Sequence, residues 1–191
     1  MHRHQTLPLI SCLFIKFVDA AMSDTTERTQ YAKLLERAMR ILAMRDHSEA
    51  EFRRKLVQSC ERAARFNKSE NQPEPPGAEQ LDRVVGWCFQ HGWLDDARFA
   101  DRYVAGRSCK GYGPQRIRLE LGQKGVVKSL IDEALFNAEI DWQSQAFALA
   151  ERKFGHPFPV EWKQRAKVQR YLMTKGFFME DIRAIFENFD D

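Results

Sequence analysis

The sequence predicts an all-α protein made of three tandem three-helix repeats in an elongated, curved array. The first indication is internal repetition, since LELGQKGVVKSLIDEAL at 119–135 is matched by YLMTKGFFMEDIRAIF at 171–186. The second is that apolar residues recur at helical intervals of three and four, with no alternating strand pattern. A unit of three short helices buries little apolar surface alone, so neighbouring repeats must pack against each other.

Both repeated stretches are centred on a Lys-Gly pair, at 124–125 and at 175–176. A glycine directly after a helix tolerates the left-handed conformation that ends it, and the lysine complements the negative end of the helix dipole. Each copy is therefore predicted to be an amphipathic helix, a tight stop and a second helix. The matched positions expected to face the core are Ile117 and Val168, Leu121 and Leu172, Ile131 and Ile182, and Leu135 and Phe186.

A weaker first copy precedes these two. The segment RDHSEAEFRRKL places Ser48 three residues before Glu51, a capping box that predicts the start of a helix. Phe52 and Leu56 then occupy the two core positions. The Lys-Gly pair is absent, and a polar loop rich in Pro and Gly is predicted over 66–80 as an insertion.

Each repeat also begins with a leading helix, predicted over 31–45, 95–107 and 141–154. Asp95 and Asp141 open the second and third of these helices, where an acidic side chain is favourable. The residues expected to be buried on the leading helices are Leu34, Leu35, Ala38, Ile41, Leu42, Phe99, Ala100, Tyr103, Val104, Trp142, Ala146, Phe147 and Ala150.

The three repeats are assigned to 31–92, 93–140 and 141–191, and residues 1–30 are interpreted as a disordered or non-native extension. Within that extension, LPLISCLFIKFVDAAM resembles a short signal sequence. Lys16 interrupts its apolar run, which is too short to span a bilayer. Met22 opens a polar stretch, so we expect natural translation to begin there.

The composition is that of a globular protein, with 43% hydrophobic and 30% charged residues among 191. A formal charge of +3 permits a nucleic-acid or acidic protein partner without requiring one. Four cysteines without a CxxC pair favour a reduced compartment, and we expect a cytoplasmic protein with no membrane partner. Cys88 and His91 could supply two metal ligands, but a buried cysteine beside a helix-end histidine is the favoured interpretation.

Basic residues recur at corresponding places in the second and third repeats. Lys163, Lys167 and Arg170 have i, i+4, i+7 spacing, which places them on one helix face. A solvated helix face is the simpler explanation, but recurrence in two repeats favours a stripe that contacts phosphates or an acidic protein. The predicted contact set is Arg107, Lys110, Arg116, Arg118, Lys124, Lys163, Lys167 and Arg170.

No catalytic chemistry is indicated. Gly111 and Gly113 do not form a phosphate loop, because the GK[ST] ending and a preceding strand are missing. No serine lies in a nucleophile elbow, and no HExxH motif occurs. We therefore expect no catalytic, cofactor-binding or metal-binding residue. Four tryptophans near repeat boundaries are interpreted as packing residues rather than base-stacking ones: Trp87, Trp93, Trp142 and Trp162.

Residues 93–126, WLDDARFADRYVAGRSCKGYGPQRIRLELGQKGV, resemble the signature region of the RecX family, which regulates the RecA recombinase of bacteria. The combination of D-D-x-x-F-A, G-x-G-P-x-x-I and L-x-x-K-G-V carries the resemblance, which extends over about 31–190. It implies a cofactor-free protein that binds along the RecA–DNA filament. It also implies inhibition of the ATPase, strand-exchange and coprotease activities of RecA in DNA repair and the SOS response.

Two other functions fit the same residues. Three-helix units resemble helix-turn-helix domains, so the chain could be a stand-alone helical DNA-binding regulator. It could also be a scaffold that binds acidic proteins without nucleic acid. The charge pattern contains no base-reading code, so weak binding to single- and double-stranded DNA without sequence preference is expected, by a monomer.

Overall fold

The computed structural model describes residues 25–66 and 76–187, and within these ranges the chain forms nine α-helices and no strand. The predicted all-α class is confirmed. The helices are α1 Thr25–Met44, α2 Glu49–Phe66, α3 Ala78–Gln90, α4 Asp96–Ser108, α5 Pro114–Gln123, α6 Lys128–Asn137, α7 Trp142–Phe154, α8 Trp162–Lys175 and α9 Met179–Glu187. They group into three successive sets of three, and the repeat boundaries given above stay predictions.

Helix α1 begins earlier than predicted. It starts at Thr25, so 25–30 are helical, whereas the sequence predicted a disordered or non-native extension over 1–30. The segment TTERTQ contains no Gly or Pro, and both residues disfavour helices. The acidic side chain of Glu27 in the first turn also interacts favourably with the positive end of the helix dipole. The signal-like stretch and Met22 lie outside the described residues.

The predicted insertion loop over 66–80 is shorter in the structure at both ends. Helix α2 extends to Phe66 and helix α3 begins at Ala78 after the extended residue Gly77, while 67–75 lie outside the described residues. The predicted helix start is confirmed at α2, where the Glu51 N–H donates to the Ser48 hydroxyl at 3.2 Å, which is one of the two hydrogen bonds of a capping box.

The described residues divide into two compact units. The first contains 25–46, 52–66 and 76–94. Its core includes both predicted positions of the first repeat, Phe52 and Leu56, which are fully buried. The other core residues are Leu34, Leu35, Ala38, Val84, Val85, Cys88 and Leu94.

Cys88 and His91 have the structural roles that the sequence favoured. Cys88 lies in the core of the first unit, and burial raises the pKa of its thiol to about 12. The His91 ring stacks on Trp87 with centroids 4.0 Å apart, at the C-terminal end of α3. In the described part of the chain, no group of three or more His, Cys, Asp or Glu side chains could hold a metal ion.

The second unit contains 47–51 together with 95–187, and it has two clusters of buried side chains. Trp142 packs against both clusters, as its predicted boundary role requires. The prediction that Trp162 is a packing residue is wrong, because this tryptophan is 73% exposed in the first turn of α8. The matched core positions are all buried as predicted: Ile117, Leu121, Ile131, Leu135, Val168, Leu172, Ile182 and Phe186.

Both Lys-Gly pairs end a helix as predicted. Gly125 has a φ of 83° and Gly176 a φ of 92°, a left-handed conformation that favours glycine. The Gly176 N–H donates to the Leu172 carbonyl at 3.0 Å, and the Phe177 N–H donates to the same carbonyl at 3.2 Å. The carbonyls at the end of α8 are thereby satisfied without a side-chain cap.

The second Lys-Gly turn receives the N-terminal end of α5. The Gly113 N–H donates to the Lys175 carbonyl at 2.9 Å, and the Gln115 N–H donates to the Gly176 carbonyl at 2.9 Å. A Cβ atom on Gly113 would lie 2.4 Å from the backbone of Gly176. The two repeats of this unit therefore meet backbone against backbone.

The first Lys-Gly turn receives the N-terminal end of α2 in the same way. The Ser48 hydroxyl donates to the Lys124 carbonyl at 2.6 Å. A Cβ atom on Gly125 would lie 2.4 Å from the Cβ of Ala50. The recurring glycine thus does more than end a helix. The middle helix of the preceding repeat occupies the space that a side chain at this glycine would need.

Candidate nucleic-acid interface

The structure divides the eight predicted contact residues by what surrounds each charge. Three of them, Arg107, Arg118 and Lys124, form ion pairs with carboxylates of the same unit. Arg116 shares a carboxylate with one of these. The remaining four are exposed, with no ion pair to any described residue: Lys110, Lys163, Lys167 and Arg170.

Glu120 is the centre of the most elaborate of these ion pairs. Its carboxylate accepts hydrogen bonds from Arg107 Nε at 2.7 Å, Tyr103 Oη at 2.9 Å and Arg116 Nε at 3.1 Å. Burial raises the pKa of Glu120, but these hydrogen bonds outweigh it and hold the pKa below its ordinary value. Burial and the bond to Glu120 also raise the pKa of Tyr103 to about 12. The charge of Arg107 is thus engaged in an ion pair within the fold.

Two further predicted cations are similarly engaged. Arg118 forms an ion pair with Asp132, which joins α5 to α6. The Lys124 Nζ lies 3.5 Å from Glu51, and only 25% of its side chain is exposed. A partner would have to displace a carboxylate to use these charges.

The cations of α8 are placed as the helical spacing predicted. Lys163, Lys167 and Arg170 are exposed, while Val168 and Leu172 on the same helix are fully buried. Their charges are not cancelled by a described carboxylate. The structure thus brings together an exposed cationic face of the kind expected, but with fewer members than the sequence suggested.

An arrangement that the sequence did not reveal surrounds the Tyr112 ring. Arg107 Cζ lies 3.8 Å from the ring centroid, Lys175 Nζ lies 4.7 Å from it, and Arg116 Cζ lies 5.0 Å from it. Arg116 also donates to the Thr174 carbonyl at 3.3 Å. Cations of the second and third repeats are thereby gathered around one aromatic ring.

Tyr171 extends this arrangement into the third repeat. Lys153 Nζ lies 3.7 Å from its ring centroid, and Lys175 Nζ lies 5.6 Å from it. The Phe154 and Tyr171 rings pack edge to face, with centroids 5.6 Å apart. The order Lys153, Tyr171, Lys175, Tyr112, Arg116 is a chain of neighbouring contacts, and we call it the cation–aromatic row.

One part of the row could have been found from sequence. Tyr171 and Lys175 are four residues apart on a predicted helix, which places their side chains on one face. The contact of Lys153 with Tyr171 joins two helices, and that of Lys175 with Tyr112 joins two repeats. No local pattern indicates either of these contacts.

The fold and the site define a class: a tandem three-helix-repeat protein whose second and third repeats carry an exposed cationic surface. Family models for the second and third three-helix domains of RecX match residues 95–135 and 139–186. The chain is 52% identical over 170 residues to the regulatory protein RecX of Cronobacter sakazakii, covering 88% of this chain and 100% of that protein. The chain belongs to the RecX family of regulatory proteins.

Other relatives and solved structures agree. The regulatory protein RecX of Escherichia coli strain K12 is 47% identical over 167 residues, covering 87% of this chain and 98% of that protein. The crystal structure of RecX from Lactobacillus salivarius has a TM-score of 0.67 at 20% identity, over 84% of this chain and 96% of that one. A second RecX crystal structure has a TM-score of 0.68 at 24% identity, over 93% and 85%. At these identities, the two structures support the fold.

Among the described helices, none combines the length and the apolar character that crossing a bilayer requires.

Proposed function

We propose that this RecX-family protein is a non-enzymatic inhibitor of RecA that acts in the cytoplasm as a monomer. It binds along the RecA–DNA filament and suppresses the ATPase, strand-exchange and coprotease activities that serve DNA repair and the SOS response. It also binds single- and double-stranded DNA weakly and without sequence preference.

The observation that carries the proposal is the exposed cationic surface on repeated units. Lys163, Lys167 and Arg170 keep their charges available on α8, and Lys110 does so at the end of the leading helix of the second repeat. A filament offers the same acidic and phosphate groups again and again along its length. A protein made of repeats can engage several of them, so modest contacts combine through effective concentration.

Bound in this way, the protein would inhibit by occupying space. A filament in turnover must admit a homologous duplex and allow its subunits to move relative to each other. A helical protein lying across several subunits obstructs both, and one bound molecule affects more than one subunit. Inhibition at ratios well below one protein per RecA is the consequence that distinguishes action on the polymer.

The test is a titration of the DNA-dependent ATPase of RecA with this protein at substoichiometric ratios. We expect inhibition far below equimolarity, at concentrations that do not retard bare DNA. Inhibition that requires equimolar protein would contradict binding along the filament. A steeply salt-dependent shift of a short duplex at the inhibitory concentration would favour the stand-alone DNA-binding regulator instead.

A charge-reversal variant tests the surface. Lys163→Glu, Lys167→Glu and Arg170→Glu together should abolish inhibition while the thermal unfolding midpoint stays close to that of the parent. The matched control reverses the same number of exposed charges in the first unit, at Lys33, Arg54 and Arg62. Full inhibition by the α8 variant in its folded state would reject this surface as the contact.

A further inference from the structure

Two lysines of the cation–aromatic row differ from the ion-paired cations in how their charges are held. Arg107, Arg118 and Lys124 are oriented by carboxylates, which cancel the charge that they position. Lys153 and Lys175 are oriented by aromatic rings and have no carboxylate partner among the described residues. An aromatic face attracts a cation through its quadrupole and leaves its net charge unchanged.

The contacts also restrict lysine side chains that are otherwise highly flexible. A lysine side chain has many accessible rotamers, and part of this freedom is lost when it binds a phosphate. Lys153 Nζ lies 3.7 Å from the Tyr171 centroid, and Lys175 Nζ lies close to two rings, 4.7 Å from the Tyr112 centroid and 5.6 Å from that of Tyr171. These side chains are therefore partly ordered before any ligand binds.

Arg116 continues the row with its charge only partly cancelled. It shares the single carboxylate of Glu120 with Arg107, so these three side chains together retain a net positive charge. The Arg116 side chain is 43% exposed, compared with 22% for Arg107. Arg116 is thus the member of this cluster that an anion can reach.

We propose that Lys153, Lys175 and Arg116 form a phosphate-contact track for the backbone of a DNA strand, and that Tyr171 and Tyr112 are its positioning residues. This inference rests on the proposed function and adds to it the identity of the DNA-contacting side chains. Phosphodiester is the ligand because the track consists of separate cations in sequence, which match a linear polyanion. The rings act through the cations, since each ring already has at least two cations within about 6 Å of its centroid.

Direct DNA binding tests the track without RecA. Fluorescence anisotropy with labelled oligo(dT) over a range of salt concentrations gives a slope that counts the phosphates contacted. Lys153→Gln with Lys175→Gln should reduce the slope by about 1.4, because each lost contact on a single strand removes about 0.7. The control variant Lys33→Gln with Lys128→Gln removes two exposed lysines outside the row. It should reduce the slope by less than the variant at Lys153 and Lys175 does. A duplex of the same length shows whether the track prefers one strand or two.

The positioning role of the tyrosines is tested by comparing a leucine substitution, which removes the ring, with a phenylalanine substitution, which keeps it. Tyr171→Leu should weaken oligo(dT) binding by about two- to five-fold, the loss expected for one exposed cation–π contact. Tyr171→Phe keeps the ring and should bind like the parent, and the same contrast should hold at Tyr112. If the Tyr112→Leu variant unfolds, the pair at Tyr171 decides the matter, because that side chain is only partly buried.

Three results would overturn the inference. The first is an unchanged salt slope in the double lysine variant. The second is equal DNA affinity of the Leu and Phe variants at Tyr171. The third is a double lysine variant that loses RecA inhibition but binds DNA normally, which would make the row a contact for acidic protein. The first two leave the proposed function intact, because RecA inhibition is measured separately.

Discussion

A Cβ atom placed on Gly176 would lie 2.4 Å from the Cβ of Arg116 and 2.6 Å from its backbone nitrogen. This closeness explains the second of the two Lys-Gly pairs. The glycine ends helix α8 with a φ of 92°, and its missing side chain provides the space into which helix α5 fits. A helix stop and a contact between repeats are therefore made by one residue.

The first prediction concerns this glycine. Gly176→Ala should destabilise the protein by about 3 kcal/mol, because it combines left-handed strain with overlap against backbone that cannot move aside. Chemical denaturation followed by far-ultraviolet circular dichroism measures the change.

Gly122→Ala is the matched control for Gly176→Ala. Gly122 lies in the last turn of α5, and apart from its own helix no described residue has an atom within 4 Å of the point where a Cβ would stand, so alanine should stabilise by about 0.5 kcal/mol. Equal effects of the two substitutions would show that the contact between repeats has no energetic importance.

The second prediction compares two tryptophans that the sequence treated alike. Trp142 packs against both clusters of the second unit, so Trp142→Ala should cost about 3 kcal/mol. Trp162 is 73% exposed, and Trp162→Ala should change the free energy of unfolding by less than about 0.5 kcal/mol. A large loss of stability at Trp162 would mean that its surroundings differ from those described.

The third prediction is a pH dependence centred on Glu120. Since the folded-state pKa of Glu120 is depressed, its contribution to stability is present above the ordinary pKa of 4.5 and is lost as the pH falls through the lower folded value. Glu120→Gln should therefore destabilise at pH 7, by about 2 kcal/mol, and much less in acid. Urea denaturation at several pH values measures the difference.

Glu133→Gln provides the comparison for Glu120→Gln. Glu133 is exposed on α6, so this variant should differ little from the parent at any pH. If the deficit of the Glu120→Gln variant were the same at pH 7 and at pH 3, the charge of Glu120 would not be the cause.

The fourth prediction concerns thiol reactivity. Burial raises the pKa of Cys88 to about 12, so its reactive thiolate is scarce at neutral pH, whereas Cys109 is exposed. A short pulse of iodoacetamide followed by peptide mass spectrometry should show alkylation of Cys109 and a protected Cys88. Adding denaturant should make the two react alike. Early labelling of Cys88 in native buffer would contradict its place in the core.

Periodicity alone was enough to predict much of the fold. The positions of Phe52, Ile117 and Val168 were identified as buried because helical spacing places them on one side of an amphipathic helix, and such a side must be covered. The glycine stops were equally readable, because few residues other than glycine tolerate a positive φ. The start of α1 was missed because its polar first turns carry no apolar periodicity.

The candidate site was only partly predictable. Lys163, Lys167 and Arg170 were identified correctly as an exposed face, since their spacing lies within one helix. The pairing of Arg107 with Glu120 crosses from α4 to α5, and no local pattern distinguishes a paired cation from a free one.

By itself, the sequence determined the helices, the side that each one buries, the glycine stops and the family, because these depend on short-range spacing. Only the tertiary structure decided which charges remain available. Lys124 meets Glu51 from 73 residues away, and Lys175 meets the Tyr112 ring of the preceding repeat. Electrostatic contacts depend on distance in space, and separation along the chain sets that distance only within a helix turn or two.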